Sequence, residues 1–138
     1  MRYVPGICGR LLVATGLLHV AVGIGLWPRS IADIVRDGVV NAVDPIPDRQ
    51  AWFWFTFAGW GWIVLGQVVA ADERRTGAPP RALGWHLLAI GGFGALLMPF
   101  SGFWLILPQG ILALVLSRRT ARATAADLPG AVIRPASA

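Results

Sequence analysis

Charged side chains are absent from three long stretches of this chain, and this distribution restricts the fold more than any other feature. The longest stretch lies between Arg81 and Arg118. A helix that crosses the ~30 Å hydrocarbon core of a bilayer needs about 20 apolar residues, within a range of about 17–25. The Arg81–Arg118 interval is therefore too long for one span. Residues 98–102 (MPFSG) supply a break, because proline and glycine interrupt helices.

The predicted fold class is an all-α integral membrane four-helix bundle, with spans at about 7–27, 51–71, 82–98 and 102–117. These spans form a single transmembrane domain, residues 1–119. Residues 120–138 are predicted to be a disordered cytoplasmic tail, because they are rich in Ala, Pro and Arg and lack a helical stripe. The first span is expected to be a retained helix and not a cleaved signal peptide, since Arg10 interrupts it.

The composition agrees with a membrane location. Charged residues make up 14% and hydrophobic residues 56% of the chain, and the mean hydropathy is +0.63. A soluble domain averages about 25% charged residues, so too little polar surface remains to cover this one. The apolar body also argues against a nucleic-acid partner, although the net charge is +5. The lipid bilayer is the expected partner.

Arginine placement predicts an orientation. The chain has 12 basic residues, all of them arginine, against 7 acidic ones. Arginines lie in the connection between the second and third spans and directly after the fourth. The positive-inside rule therefore predicts a multi-pass protein of the cytoplasmic (inner) membrane with both termini in the cytoplasm. The same arginines suit contact with anionic lipid.

Glycines recur every seven residues within three of the spans. A seven-residue step returns to nearly the same helix face, and small residues mark close helix approach in membranes. The pattern predicts a compact bundle with small-residue seams. The repeating positions are Gly9, Gly16 and Gly23, then Gly59 and Gly66, then Gly84 and Gly91.

The connection between the first two spans predicts a short amphipathic helix on the outer membrane surface. Ser30 to Asp33 resembles a capping box, and Gly38 ends the pattern. The apolar edge comprises Ile31, Ile34 and Val35. Asp48 is placed to cap the start of the second span.

His19 is the main catalytic candidate, because it is the ionisable residue well inside a span. Such groups are costly in the bilayer and are functional hypotheses by default. If the outer connection folds inward, Asp44 or Asp48 approaches His19, and the pair acts as general acid and base. The alternative, with equal weight, is a structural role in which His19 is hydrogen-bonded to a carbonyl or hydroxyl group.

Several other side chains are candidate ligand-binding residues. An apolar small molecule between the helices would meet polar side chains inside the spans and an aromatic wall. The alternative is that these side chains serve only helix packing and interhelical hydrogen bonding. The candidates are Thr56, Trp60, Gln67, Trp104 and Gln109. No metal site is predicted, because partners with ligand spacing are missing around the lone Cys8 and His19, and no cofactor is expected.

A set of motifs resembles a family of small bacterial membrane proteins. The match covers roughly residues 7–117, and the family is a domain of unknown function with four predicted helices, of actinobacterial type. The resemblance implies a cytoplasmic-membrane protein and carries neither an activity nor catalytic residues. The motifs are Gly9-Arg10-Leu11-Leu12, Arg36-Asp37-Gly38, Asp44-Pro45, Phe53-Trp54-Phe55, Arg81-Ala82-Leu83-Gly84-Trp85 and Met98-Pro99-Phe100-Ser101-Gly102-Phe103-Trp104.

Three functions stay open at the level of sequence. The first is a membrane protein that binds a hydrophobic small molecule, a lipid or a membrane partner without catalysis. The second is a membrane-embedded isomerase or hydratase that uses His19 with Asp44 or Asp48. The third is a small proton-coupled transporter that works as a homodimer.

Overall fold

A computed structural model describes residues 4–126, with side chains through Arg118. The regular structure in this part of the chain is entirely helical, as predicted. Its elements are α1 (Ile7–Leu26), α2 (Pro28–Arg36), α3 (Pro47–Thr76), α4 (Arg81–Leu97) and α5 (Ile106–Ala126), with a 3₁₀ helix at Gly102–Leu105 before α5. Helices α1 and α3 are long and apolar enough to cross a membrane, whereas α4 and the segment Gly102–Arg118 are apolar but shorter.

Helix α3 is longer at both ends than the predicted span 51–71. It begins at Pro47, whose fixed φ and missing N–H suit the first helical turn. The extended-backbone N-cap is Ile46, so the prediction of Asp48 as the cap is wrong, and Asp48 lies inside the first turn. The helix ends at Gly77, where φ is 78° and the left-handed conformation favours glycine. The charged residues before Gly77 therefore belong to the helix.

Helix α1 packs on α3 in antiparallel orientation along the predicted glycine face. A Cβ atom placed on Gly16 would lie 2.6 Å from the carbonyl oxygen of Gly59, and one on Gly66 would lie 2.6 Å from that of Gly9. At Gly23 the facing residues are Phe55 and Thr56. The two backbones approach so closely that side chains are excluded along this line, which we call the glycine seam (Gly9, Gly16 and Gly23 of α1 with Gly59 and Gly66 of α3).

Helices α4 and α5 form a second antiparallel pair. Gly84 lies against Leu114 and the carbonyl of Gly110, and Gly91 lies against Leu107. The two pairs join in one apolar core to which all four long helices contribute. Its buried residues are Cys8, Leu12, Val69, Leu87, Ile106 and Ala113.

The antiparallel arrangement sorts charge to opposite ends of the helices. One end, called the inner end here, carries arginines at the end of α3, the start of α4 and within α5: Arg74, Arg75, Arg81 and Arg118. The opposite, outer end carries α2, the α2–α3 connection and the start of α3, where four aspartates outnumber three arginines. The sequence pattern of arginines is thus a real asymmetry of the fold.

Helix α2 is the predicted amphipathic helix, but its start differs from the expected one. Pro28 occupies the first turn and Trp27 is the N-cap, so Ser30 lies inside the helix, where it is buried. The prediction of a capping box at Ser30 is therefore wrong, because proline begins the helix two residues earlier. Ile34 is buried and Val35 is exposed.

The last helix extends past the predicted end of the transmembrane domain at residue 119. Helix α5 continues through Ala126, and the residues from Thr120 onward (TARATAA) contain alanine and arginine, which favour helices. The rest of the predicted tail 120–138, residues 127–138, lies outside the described residues.

Candidate functional site

His19 belongs to α1, where it is half-buried on the side that faces α3, beside the glycine seam. Its imidazole stacks on the ring of Phe55, with centroids 3.8 Å apart and planes inclined by 13°. Phe55 also contacts Trp27, whose ring centroid is 5.4 Å away. His19 therefore packs against α3, and its close neighbour is an aromatic ring.

The aspartates proposed to work with His19 have other surroundings. The Asp44 carboxylate accepts a hydrogen bond from Nε2 of Gln50. Asp48 is exposed in the first turn of α3. Within residues 4–118, no hydrogen bond or ion pair joins His19 to either aspartate. The structure does not bring the predicted acid–base pair together, and a catalytic role for these residues stays a prediction.

Arg49 organises the outer connection. Its side chain is almost completely buried, and Nη1 donates to the carbonyl oxygen of Ala42 over 2.6 Å. Nη2 donates to the carboxylate of Asp37 over 2.7 Å. A guanidinium can hold two acceptors at once in a fixed geometry. Arg49 thus fastens the α2–α3 connection onto the first turn of α3, a role that the sequence did not reveal.

Two polar atoms near the outer end of α3 are buried without a hydrogen-bond partner among the described residues. They are Oγ1 of Thr56 and Nε1 of Trp52. The residues are four apart, so they share a helix face, and Thr56 meets Gly23 of α1. Buried polar atoms in proteins are nearly always paired, so each unpaired one needs an explanation.

Gln109 links the two helix pairs. Its Nε2 donates to Oγ1 of Thr15 over 2.7 Å and to the carbonyl of Leu105 over 2.9 Å. The Oγ1 of Thr15 donates in turn to the carbonyl of Leu11. The other amide atom, Oε1 of Gln109, is buried and unpaired in the described part of the chain. Gln109 therefore makes an interhelical hydrogen bond, which was the alternative to its role in ligand binding.

The remaining ligand candidates lie on the outside. Trp60 is exposed and lines a shallow groove of about 470 Å³ on α3, together with Phe57, Gly61 and Val64. Gln67 is exposed, and Trp104 is exposed with its Nε1 donating to the carbonyl of Pro99 over 2.8 Å. The structure therefore separates these three residues from Thr56 and Gln109, and their role in binding stays a prediction.

Glu73 is a polar residue of this fold that sequence reasoning missed. It is completely buried at the inner end of α3. Its carboxylate accepts the backbone N–H of Gly9 over 2.9 Å and that of Cys8 over 3.3 Å, both in the first turn of α1. The first N–H groups of a helix lack partners within the helix, and the helix dipole favours negative charge there. Glu73 therefore caps α1 from a neighbouring helix.

A sequence signal for Glu73 existed. It stands seven residues after Gly66 and fourteen after Gly59, so it continues the α3 face that packs on α1. Its place in the charged run Asp72-Glu73-Arg74-Arg75 suggested a solvated connection instead.

Among the described residues, no group of three or more His, Cys, Asp or Glu side chains could hold a metal ion. The model of a family of unknown function (DUF6463) matches residues 4–120 of the chain, which confirms the predicted resemblance to an uncharacterised family. No curated protein and no solved structure matches.

Proposed function

Since the chain belongs to this family of unknown function, DUF6463, we propose its function from its own surface and interior. We propose that it is a multi-pass membrane protein that binds a lipid, another apolar molecule or a membrane partner without converting it chemically. The observation that carries this proposal is the outward direction of the apolar side chains. In the 18-residue apolar stretch of α1 only 28% is buried inside the fold, and in that of α3 only 22%.

The exposed surface of the fold carries many large apolar side chains. They lie on α1, α3 and α4 and include Leu17, Ile24, Trp60, Val68 and Leu96. Soluble monomers rarely expose apolar patches larger than a few hundred Å². The shortage of charge, 14% of residues, leaves no polar layer to compensate. Lipid contact accounts for both facts together.

The charge asymmetry supports an orientation with the inner end in the cytoplasm. Within residues 4–118 the inner end carries five arginines against two acidic residues, whereas the outer end carries three arginines against four aspartates, and this excess of arginine at the inner end matches the positive-inside rule. In this orientation α1 and α4 run outward, α3 and α5 run inward, and both termini are cytoplasmic. The inner arginines then lie at the depth of anionic headgroups.

Labelling with a membrane-impermeant maleimide tests this orientation. Two single-cysteine variants in a Cys8→Ala background serve as a matched pair: Asp48→Cys at the outer end and Thr76→Cys at the inner end, both exposed positions. We expect Asp48→Cys to react in intact cells and Thr76→Cys to react only after lysis. Equal labelling of the two in intact cells, or the reverse order, contradicts the proposal.

A specific ligand beside His19 is the second candidate function. The unpaired buried atoms of Thr56 and Trp52 favour it, because a ligand with a polar group could pair with them while His19 and Phe55 supply a stacked aromatic surface. The experiment compares the lipids and small molecules that copurify with the wild type, His19→Ala and Thr56→Val. The control is His86→Ala, since His86 is an exposed histidine of α4.

We expect one bound species to be lost from both His19→Ala and Thr56→Val and retained by His86→Ala. Identical bound species in all four proteins contradict a ligand at His19 and leave only the outer surfaces as binding sites.

A further inference from the structure

The turn between α4 and α5 is unusually apolar for a connection between helices. We call residues 98–105 (MPFSGFWL) the apolar tip. It carries no charged side chain. Phe100 is completely exposed, and Met98, Trp104 and Leu105 are about half exposed. The other connection at the same end, between α2 and α3, contains aspartates instead.

The polar side chains of the apolar tip bond to its own backbone. Oγ of Ser101 donates to the carbonyl of Met98 over 2.6 Å and accepts the N–H of Phe103 at 3.5 Å. Nε1 of Trp104 donates to the carbonyl of Pro99 over 2.8 Å. A polar group in contact with lipid must find its partner within the protein. The hydroxyl of Ser101 and the indole N–H of Trp104 both have such partners.

The start of the 3₁₀ helix in the apolar tip lies lower than the outer end of α1. Thr15 and Gln109 lie at the same height, because their side chains are hydrogen-bonded. From Thr15 to Trp27, α1 rises about 18 Å at ~1.5 Å per residue. From Gln109 back to Gly102, the α and 3₁₀ residues rise only about 12 Å, at ~1.5 and ~2.0 Å per residue. The start of the 3₁₀ helix therefore lies about 5 Å short of the outer end of α1.

The lengths of the helices agree with this difference. The 17 residues of α4 measure about 26 Å, which is less than the ~30 Å thickness of the hydrocarbon core. The 30 residues of α3 measure about 45 Å and extend beyond that core. When the arginines of α4 and α5 lie at the inner surface, the outer end of α4 thus lies within the outer leaflet, and residues 98–101 form the turn just beyond it.

We propose that the apolar tip lies within the outer leaflet of the bilayer, at the boundary between the glycerol groups and the acyl chains, with Met98, Phe100 and Trp104 in contact with lipid. This inference rests on the proposed membrane function and adds a specific lipid contact to it. Amphipathic rings favour that depth, and apolar side chains at the interface insert about 5–10 Å below the headgroups. The occupant of this surface is lipid of the outer leaflet, which the α2–α3 connection does not enter.

Spin-label accessibility in lipid vesicles tests the proposal. The full chain with Cys8→Ala carries a nitroxide at Phe100→Cys or at Asp48→Cys, and collisions with oxygen, which concentrates in lipid, are compared with collisions with a water-soluble nickel chelate. Gly102→Cys is a second tip variant, because open space surrounds a Cβ placed on Gly102. Both tip substitutions leave the packing intact, since Phe100 contacts little of the protein.

We expect oxygen collisions to exceed nickel collisions for labels at Phe100 and Gly102, and the reverse for the label at Asp48. If the protein floats with the vesicles but the tip labels collide with nickel as often as the Asp48 label does, the tip proposal is wrong and the membrane proposal stands. If the protein does not float with the vesicles, both proposals are wrong.

Discussion

Replacing Glu73 by alanine removes the acceptor that caps α1. The carboxylate accepts the N–H of Gly9 at 2.9 Å and that of Cys8 at 3.3 Å, and Glu73 is completely buried. A hydrogen bond to a charged group contributes about 1.5–3 kcal/mol, and a buried donor left unpaired loses a similar amount. Because one of the two bonds is long, we expect Glu73→Ala to lower the free energy of unfolding by about 3–4 kcal/mol.

The neighbouring residue provides the matched control. Asp72 pairs with Arg75 one turn along the same helix, and the two side chains are 28% and 79% exposed. An exposed pair of this kind contributes only about 0–1 kcal/mol, so Asp72→Ala should unfold nearly as the wild type does. Glu73→Gln keeps one acceptor oxygen and should fall between the two.

The assay is reversible unfolding in mixed micelles, followed by far-ultraviolet circular dichroism as the denaturing detergent is increased. Amide hydrogen exchange at Cys8 and Gly9 adds a local measurement, and both amides should exchange faster in Glu73→Ala. Equal stability of Glu73→Ala and Asp72→Ala, with unchanged exchange at the two amides, would refute the capping role.

Further substitutions test three other contacts. Gly66→Ala places a Cβ 2.6 Å from backbone atoms of α1 and should lower the free energy of unfolding by about 1–3 kcal/mol. Its control, Gly61→Ala, meets open space and should leave that free energy unchanged or raise it by up to about 1 kcal/mol. Equal stabilities of the two variants in micelles would contradict the close packing at the glycine seam. Thr15→Val and Gln109→Leu should show a coupling of about 0.6 kcal/mol in a double-mutant cycle, and strict additivity would contradict their hydrogen bond. Arg49→Met should expose the α2–α3 connection to proteolysis, and an unchanged cleavage rate would argue against its role as the anchor.

The sequence predicted the small-residue seams because the responsible pattern is local. Gly9, Gly16 and Gly23 repeat at seven-residue intervals, and that spacing alone places them on one face. The partner face on α3 repeats in the same way at Gly59 and Gly66. Close approach of two backbones requires the absence of side chains, and a sequence displays that absence directly.

The cap formed by Glu73 could not be predicted from local pattern alone. The apolar stretch ends at Ala71, so the charged residues that follow suggested a loop. Only the register of α1 against α3 shows that the helix extends past the apolar window and that Glu73 meets Gly9. Its seven-residue distance from Gly66 was the available signal.

The predicted catalytic pair required long-range folding of a loop, which the sequence cannot determine. Asp44 and Asp48 were expected to approach His19 if the outer connection turned inward. The connection is instead held to the start of α3 by Arg49, which binds Asp37 and the carbonyl of Ala42. Which carboxylate the arginine holds depends on tertiary geometry and not on spacing.

Extraction of membranes with alkaline carbonate tests the proposal that the chain is a multi-pass membrane protein. Carbonate releases peripheral proteins and the contents of vesicles but leaves multi-pass helical proteins in the bilayer, because their apolar faces remain in hydrocarbon. We expect the full chain to stay in the membrane pellet after the carbonate wash and to float with lipid in a density gradient. Recovery of the chain in the carbonate supernatant as a folded helical protein would contradict the proposal.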